Sequence, residues 1–240
     1  MAYKEATRIQ TSLLADVEKR CLIWMAGRLP SWVNSDHLTV LAGAAMLGAG
    51  LCYWNGSVAA LGGAIALLAV NWFGDSLDGT VARVRHHERP RYGFYVDHVL
   101  DVVGILLLVG GLVLGGHMSG AAGAGFLVAY YLLMIEIALA THAVGTFRIS
   151  YWKFGPTELR ILLAIGTLQL MRAGGITIAG RPLLLFDVGA YVAIAGLVVT
   201  FIASAVANTR TLYRAEPLPA RNHTAEGRAE RTSLREITQE

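Results

Sequence analysis

The sequence is short of charge and of cysteine. Only 15% of its 240 residues are Asp, Glu, Lys or Arg, against 55% hydrophobic, and mean hydropathy is positive. Soluble domains of this size carry about a quarter charged residues, so a chain this poor in charge cannot clothe a water-facing surface. The two cysteines, Cys21 and Cys52, fall in a polar segment and an apolar run, which supports neither a disulfide nor a cysteine-ligated metal. The start lacks the basic stretch, apolar run and small-residue cleavage site of a secretory signal peptide, so no leader is expected to be removed. No internal repeat and no second globular domain are evident.

What is abundant is apolar runs close to the ~20 residues that cross a bilayer core. Six spans are expected, at about Leu38 to Tyr53, Val58 to Phe73, Tyr95 to Leu114, Ala121 to Val144, Leu159 to Met171 and Leu184 to Ala207. Each must be helical, because lipid cannot satisfy exposed backbone groups. Gly104, Gly110, Gly111, Ala121, Ala122 and Ala124 suit close helix approach in a membrane. Aromatic residues near the span ends, Tyr53, Trp54, Trp72, Phe73, Tyr151 and Trp152, read as interfacial belts.

Of the 20 Lys and Arg residues, a six-span topology with a cytoplasmic N-terminus puts only Arg172 and Arg181 outside. Both termini are therefore expected in the cytoplasm. Residues 5–29 set Ile9, Leu13, Val17, Leu22 and Trp24 against Arg8, Asp16, Lys19 and Arg20 at helical spacing, which fits an amphipathic interfacial helix or a capping helix packed on the bundle. Beyond Leu212 the composition turns polar, with Pro217 and Pro219, and reads as disordered. The expected fold is an all-α integral membrane bundle of six transmembrane helices. An N-terminal amphipathic segment (1–33) precedes the six-helix domain (34–212), and a polar tail (213–240) follows it.

Acids stand out against this background. From Asn71 to Asp101 the chain reads NWFGDSLDGTVARVRHHERPRYGFYVDHVLD, so Asp75, Asp78, Asp97 and Asp101 fall where the second span ends and the third begins. A charge at a helix centre costs about 2.5–3.5 kcal/mol on insertion scales, and less near the interface, so four acids need a reason. Asn71, Asp75, Asp78, Gly79 and Ala82 share one helix face, as do Gly93, Asp97 and Asp101. The short connection between them, with Arg85, His86, His87, Arg89, Pro90 and Arg91, predicts antiparallel neighbouring helices and a convergence of the four carboxylates. Converging carboxylates repel unless protonated or bridged by cations, and oxygen-only ligands favour Mg²⁺ or Mn²⁺. Two such ions suit phosphoryl-type displacement. Gly79 leaves room for a bulky group beside Asp78, and Arg83 reaches a phosphate bidentately; the competing readings are a close-packing glycine and an interfacial charge.

The run D-S-L-D-G-T-V-A-R, nine residues, then G-F-Y-V-D-H-V-L-D resembles the signature of the CDP-alcohol phosphotransferase family. The resemblance implies a six-helix, usually dimeric membrane enzyme of phospholipid synthesis. Such an enzyme moves a substituted phosphate from a CDP-linked alcohol to a lipid or small-alcohol hydroxyl and releases CMP. It implies metal ligation by Asp75, Asp78, Asp97 and Asp101, with Asp101 also the base toward the acceptor, and nucleotide contacts from Gly79, Ala82, Arg83 and Gly93. Asn34 and Thr39 match the family's Asn and Thr at the first span, although Val33 stands where Pro is usual.

His98, directly after Asp97, is similar to the choline and ethanolamine phosphotransferase branch, which pairs it with a Glu opening a later helix; Glu158, after Phe154, Gly155, Pro156 and Thr157, matches. That implies an acid/base pair of His98 and Glu158 with CDP-aminoalcohol and diacylglycerol as substrates. The other arrangement is CDP-diacylglycerol with a polar alcohol, for which Arg85, Arg89, Arg91, Arg148, Lys153 and Arg160 would suit a phosphorylated acceptor. Glu136, inside the fourth span, reads as a packing hydrogen bond before a catalytic group.

Two other function classes compete. A membrane prenyltransferase spaces its Asp pairs more widely, and an ion or proton transporter holds its acids near the midplane on repeats or broken helices. No nucleic-acid partner is expected.

Overall fold

The computed structural model describes residues 7–9, 15–148, 156–173, 176–178 and 181–218. Its helices are α1 (Ala15–Ala26), α2 (Ser35–Asn55), α3 (Val58–Val84), α4 (Pro90–Leu114), α5 (Gly120–Ala143), α6 (Pro156–Ala173) and α7 (Leu185–Ala215). Two short pairings complete it: β1 (Thr7–Ile9) runs parallel to β2 (Thr146–Arg148), and β3 (Ile176–Ile178) runs antiparallel to β4 (Arg181–Leu183). Residues up to Ala205 form one compact unit; in the second, from Val206, the described part is the helical end of α7 and the residues that follow it to Leu218. The expected disordered tail lies outside the described residues from 219 onward.

All six expected spans are helices. Five of them, α2, α3, α4, α5 and α7, are long and apolar enough to cross a membrane. The remaining one, α6, has 18 residues and carries Glu158, Arg160 and Arg172. Local chemistry explains the ends. Asn34 caps α2 in a reciprocal arrangement: its Oδ1 accepts from the His37 amide at 3.0 Å, and the His37 ring accepts from the Asn34 amide at 3.3 Å. Ser57 and Ser119 cap α3 and α5 more simply, each hydroxyl accepting from one amide, of Ala60 and of Ala122, and Pro90 opens α4 where its missing N–H costs nothing. Gly56, at φ 69°, makes the tight turn from α2 to α3.

The core is built where α2 meets its neighbours. Tyr53, Leu68, Leu108 and Leu112 are all but fully buried in it, with Phe126 and Phe186 beside them. Tyr53 therefore does not belong to an interfacial belt: its hydroxyl lies 2.6 Å from the Thr167 hydroxyl and ties α2 to α6. Backbones come closest at Gly50 of α2 and Gly111 of α4. A Cβ at Gly111 would stand 2.1 Å from the Gly50 carbonyl oxygen, and one at Gly50 2.5 Å from the Leu107 oxygen. On the other side of α2, a Cβ at Gly74 would meet the Leu38 oxygen at 2.6 Å. Thus α2 is held tightly against both α3 and α4.

Helix α1 packs on this bundle. Leu22 and Ala26 are buried with Leu38, Leu77 and Val81, while Ile23 and Trp24 are exposed. Packing of this kind is what a capping helix requires. The interfacial alternative keeps its exposed apolar face, although the side chains of Ile9, Leu13 and Val17 lie outside the described residues. Glu136 is buried in α5 and accepts from Ser204 of α7 at 2.9 Å, the expected packing bond.

Neighbouring glycines of α4 separate packing from propensity. Gly111→Ala should lower the detergent unfolding midpoint by about 5 °C, an overpacking cost of ~1–3 kcal/mol, while Gly110→Ala, with nothing within 4 Å of the added carbon, should leave it unchanged or raised. Equal midpoints for the two variants would refute a backbone contact between α2 and α4 at Gly111.

Candidate active site

The aspartates come together through α2. Because α2 lies tight against both α3 and α4, those two helices hardly touch, contrary to the direct neighbours expected from their short connection. The gap that remains is a pocket. Its lining includes Thr39, Ala42 and Gly43 of α2, Asn71, Asp75 and Asp78 of α3, Asp97 and Asp101 of α4, and Arg160 of α6. Spacings of three and four along α3, and of four along α4, turn all four carboxylates to this one space.

Each acid on α3 has a partner. Asp78 is buried, and the Thr39 hydroxyl donates to its Oδ2 at 2.7 Å. Asp75 Oδ2 pairs with Arg160 Nη2 at 2.6 Å, and Arg160 Nε donates to Asn71 Oδ1 at 2.8 Å. Asn71 in turn donates to the Ala42 carbonyl at 3.0 Å, so a continuous polar chain runs from the α2 backbone through α3 to α6. Buried polar groups paired in this way avoid the several kcal/mol an unpaired one would cost. Asp97 and Asp101 are exposed.

The family residues on the next turns lie outside the pocket lining. A Cβ at Gly79 would meet nothing but the Arg83 guanidinium, at 3.3 Å, and one at Gly93 would meet nothing within 4 Å. Close packing therefore does not explain either glycine. Ala82 is half-buried; Arg83 is exposed, with Nη2 donating to Thr80 at 3.1 Å. Asn34 serves as the α2 cap. His98 and Glu158 are also absent from the pocket lining. The His98 Nδ1 lies 2.8 Å from the Phe94 carbonyl one turn back, and its ring packs against that of Phe94, tilted by 33° with centroids 4.1 Å apart.

Two of the arginines expected to serve a phosphorylated acceptor are engaged in the scaffold. Arg85 donates to the carbonyls of Leu29, Pro30 and Val33, closing the loop between α1 and α2. Arg89 pairs with Asp36 and lies over the Tyr92 ring. The Arg148 side chain, Lys153, Phe154 and Gly155 lie outside the described residues.

Does the pocket fit divalent cations? Its donors are all oxygens, and one guanidinium faces four carboxylates, which leaves an excess of negative charge suited to hard ions. Among the described residues no three His, Cys, Asp or Glu side chains are grouped closely enough to enclose an ion, since Asp75 is turned to Arg160 and Asp78 to Thr39. The donor chemistry fits.

A comparison with protein families matches residues 32–206, well over half of the chain, to CDP-alcohol phosphatidyltransferases. The chain belongs to that family. No curated protein sequence matches it. As a CDP-alcohol phosphatidyltransferase family protein it is a transferase of phospholipid synthesis acting on a CDP-alcohol, and its apolar helices suit a multi-pass membrane protein. The matched stretch contains every aspartate of the pocket and also α6 with Arg160.

Sequence reasoning named the aspartates and Asn71 but gave Thr39 and Arg160 no part in holding them. For Arg160 the signal was an arginine one turn into a helix whose following residues are apolar as far as Gly166. Thr39→Val should lower turnover about tenfold by depriving buried Asp78 of its side-chain donor, and Thr39→Ser should retain most of it. Turnover measured at saturating substrate decides; equal rates for the two variants would deny Thr39 this task.

Proposed function

We propose that this protein transfers a substituted phosphate from a CDP-linked alcohol to an acceptor hydroxyl, with release of CMP, at a divalent-metal site held by Asp75, Asp78, Asp97 and Asp101. What supports the reading is the convergence of these four side chains on one pocket. Mg²⁺ or Mn²⁺, two ions in this reading, would when bound offset the negative charge of the donor's pyrophosphate and of the attacking and leaving oxygens.

The chain's own groups do the rest. Thr39 fixes the Asp78 carboxylate, and Arg160 with Asn71 orients Asp75. Asp101 takes the proton of the acceptor hydroxyl, in the role that the family resemblance implies. Gly79 and Gly93, with open space where side chains would be, leave room for the nucleotide beside Ala82 and Arg83. His98 and Glu158 are kept as an acid/base pair for the aminoalcohol arrangement, in which the bond from Nδ1 to the Phe94 carbonyl would fix the tautomer with Nε2 as the basic nitrogen.

In this reading α6 also crosses the membrane, as the fifth of six spans, the active site and both termini are cytoplasmic, and the protein is a homodimer. Eighteen of the 20 basic residues then fall on the cytoplasmic side. The donor is either a CDP-aminoalcohol, with diacylglycerol as acceptor, or CDP-diacylglycerol, with a polar alcohol. That Arg85 and Arg89 are bound within the scaffold counts against a phosphorylated acceptor.

Purified protein given each donor and acceptor pair, with CMP and product lipid mass measured together, should release CMP with one pair and stop when EDTA is added. Asp97→Asn and Asp101→Asn should keep the wild-type unfolding midpoint and lose at least ~100-fold in turnover. Lipid labelling without CMP release, or wild-type turnover in either variant, would reject the reaction.

A further inference from the structure

Outside the pocket, one carboxylate joins three helices. Glu18 of α1 accepts through a single oxygen, Oε1, from the Trp72 indole at 2.8 Å, the Ser76 hydroxyl at 3.3 Å and the Thr157 hydroxyl at 2.8 Å. Trp72 and Ser76 belong to α3, and Thr157 to the first turn of α6.

Each donor adjoins a group of the pocket. Trp72 follows Asn71, Ser76 follows Asp75, and Thr157 precedes Arg160 by three residues, about one helical turn. Asn71, Asp75 and Arg160 are themselves joined inside the pocket. Adjacent residues on a helix point about 100° apart, so Trp72 and Ser76 form the face of α3 next to the one that bears Asn71 and Asp75. The same two helices are thus pinned twice at one level, by Arg160 from within and by Glu18 from without.

That pairing has a consequence for the register of α6. A slide of one residue along a helix axis is about 1.5 Å, enough to break the 2.6 Å contact between Arg160 and Asp75. Arg160 sits on a long side chain whose ordering costs entropy, and a second, charge-assisted tie on the preceding turn lowers the freedom it must lose. We infer that Glu18 is a positioning residue: through Trp72, Ser76 and Thr157 it sets the register of α6 on α3 and so delivers Arg160 to Asp75 in the active site. Helix α1 is then part of the catalytic framework rather than a membrane anchor alone. The kinetic side of this inference rests on the proposed reaction.

The alternative is that Glu18 merely docks α1. Leu22 provides the control, because it is buried in the α1–α3 contact and takes no part in the Glu18 bonds. In the full-length protein in detergent, hydrogen exchange of the first two turns of α6 should quicken about tenfold in Glu18→Ala and in Thr157→Val. It should stay near wild type in Glu18→Gln, which keeps the accepting oxygen, and in Leu22→Ala. Turnover should fall about tenfold in the first two variants and hold in Glu18→Gln and Leu22→Ala. Wild-type exchange or wild-type turnover in Glu18→Ala would overturn the inference, as would an equal effect of Leu22→Ala. If the wild-type protein releases no CMP, the proposed reaction fails, while exchange in α6 still decides whether Glu18 sets its register.

Discussion

Everything at the pocket depends on the ion pair between Arg160 and Asp75. Four acids beside an apolar bundle would repel one another and resist burial, and the cost of an uncompensated charge there exceeds what local packing can offset. Arg160 meets this constraint from α6, and it also binds Asn71, whose amide reaches the α2 backbone. Charge balance and helix placement are therefore one problem. The helix that is too charged to pass as an ordinary span is the helix that brings the cation, so its low apolarity follows from its place beside the acids.

The pocket exists because α2 is thin where it matters. With Gly50 against Gly111 and Gly74 against Leu38, α2 lies close to α3 and α4, and the gap that remains between those two helices is lined by Ala42 and Gly43. Larger residues on α2 would fill that space; direct packing of α3 on α4 would abolish it. Small residues here serve two ends, close approach on two sides of one helix and an open floor on the third. The aspartates are arranged by this wedge more than by the short connection between their own helices.

Much of this was legible in the sequence. The six apolar runs are helices, and the four aspartates share a pocket, because helical periodicity and the cost of charge in an apolar segment are local facts. What was not legible depends on contacts between distant segments. Thr39 meets Asp78 and Arg160 meets Asp75 across 39 and 85 positions, and Glu18 meets Thr157 across 139, and no spacing rule connects such residues. Tyr53 read as an interfacial aromatic because it ends a span, yet a partner on α6 draws it wholly into the core. Arg85 and Arg89 read as groups suited to a phosphorylated acceptor, and the carbonyls and the acid that engage them lie more than fifty residues earlier.

The glycines separate structural need from functional need. A glycine inside a soluble helix costs roughly 1 kcal/mol relative to alanine, so each one calls for a compensating gain. At Gly50, Gly74 and Gly111 the gain is visible, since backbone or side-chain atoms occupy the place of a Cβ. At Gly93 the place is empty, and at Gly79 it is bounded only by the Arg83 guanidinium. Folding gains nothing from their bareness. Both stand within a turn or two of the pocket aspartates, and in the proposed reaction the nucleotide of the CDP-alcohol would take the space that they leave.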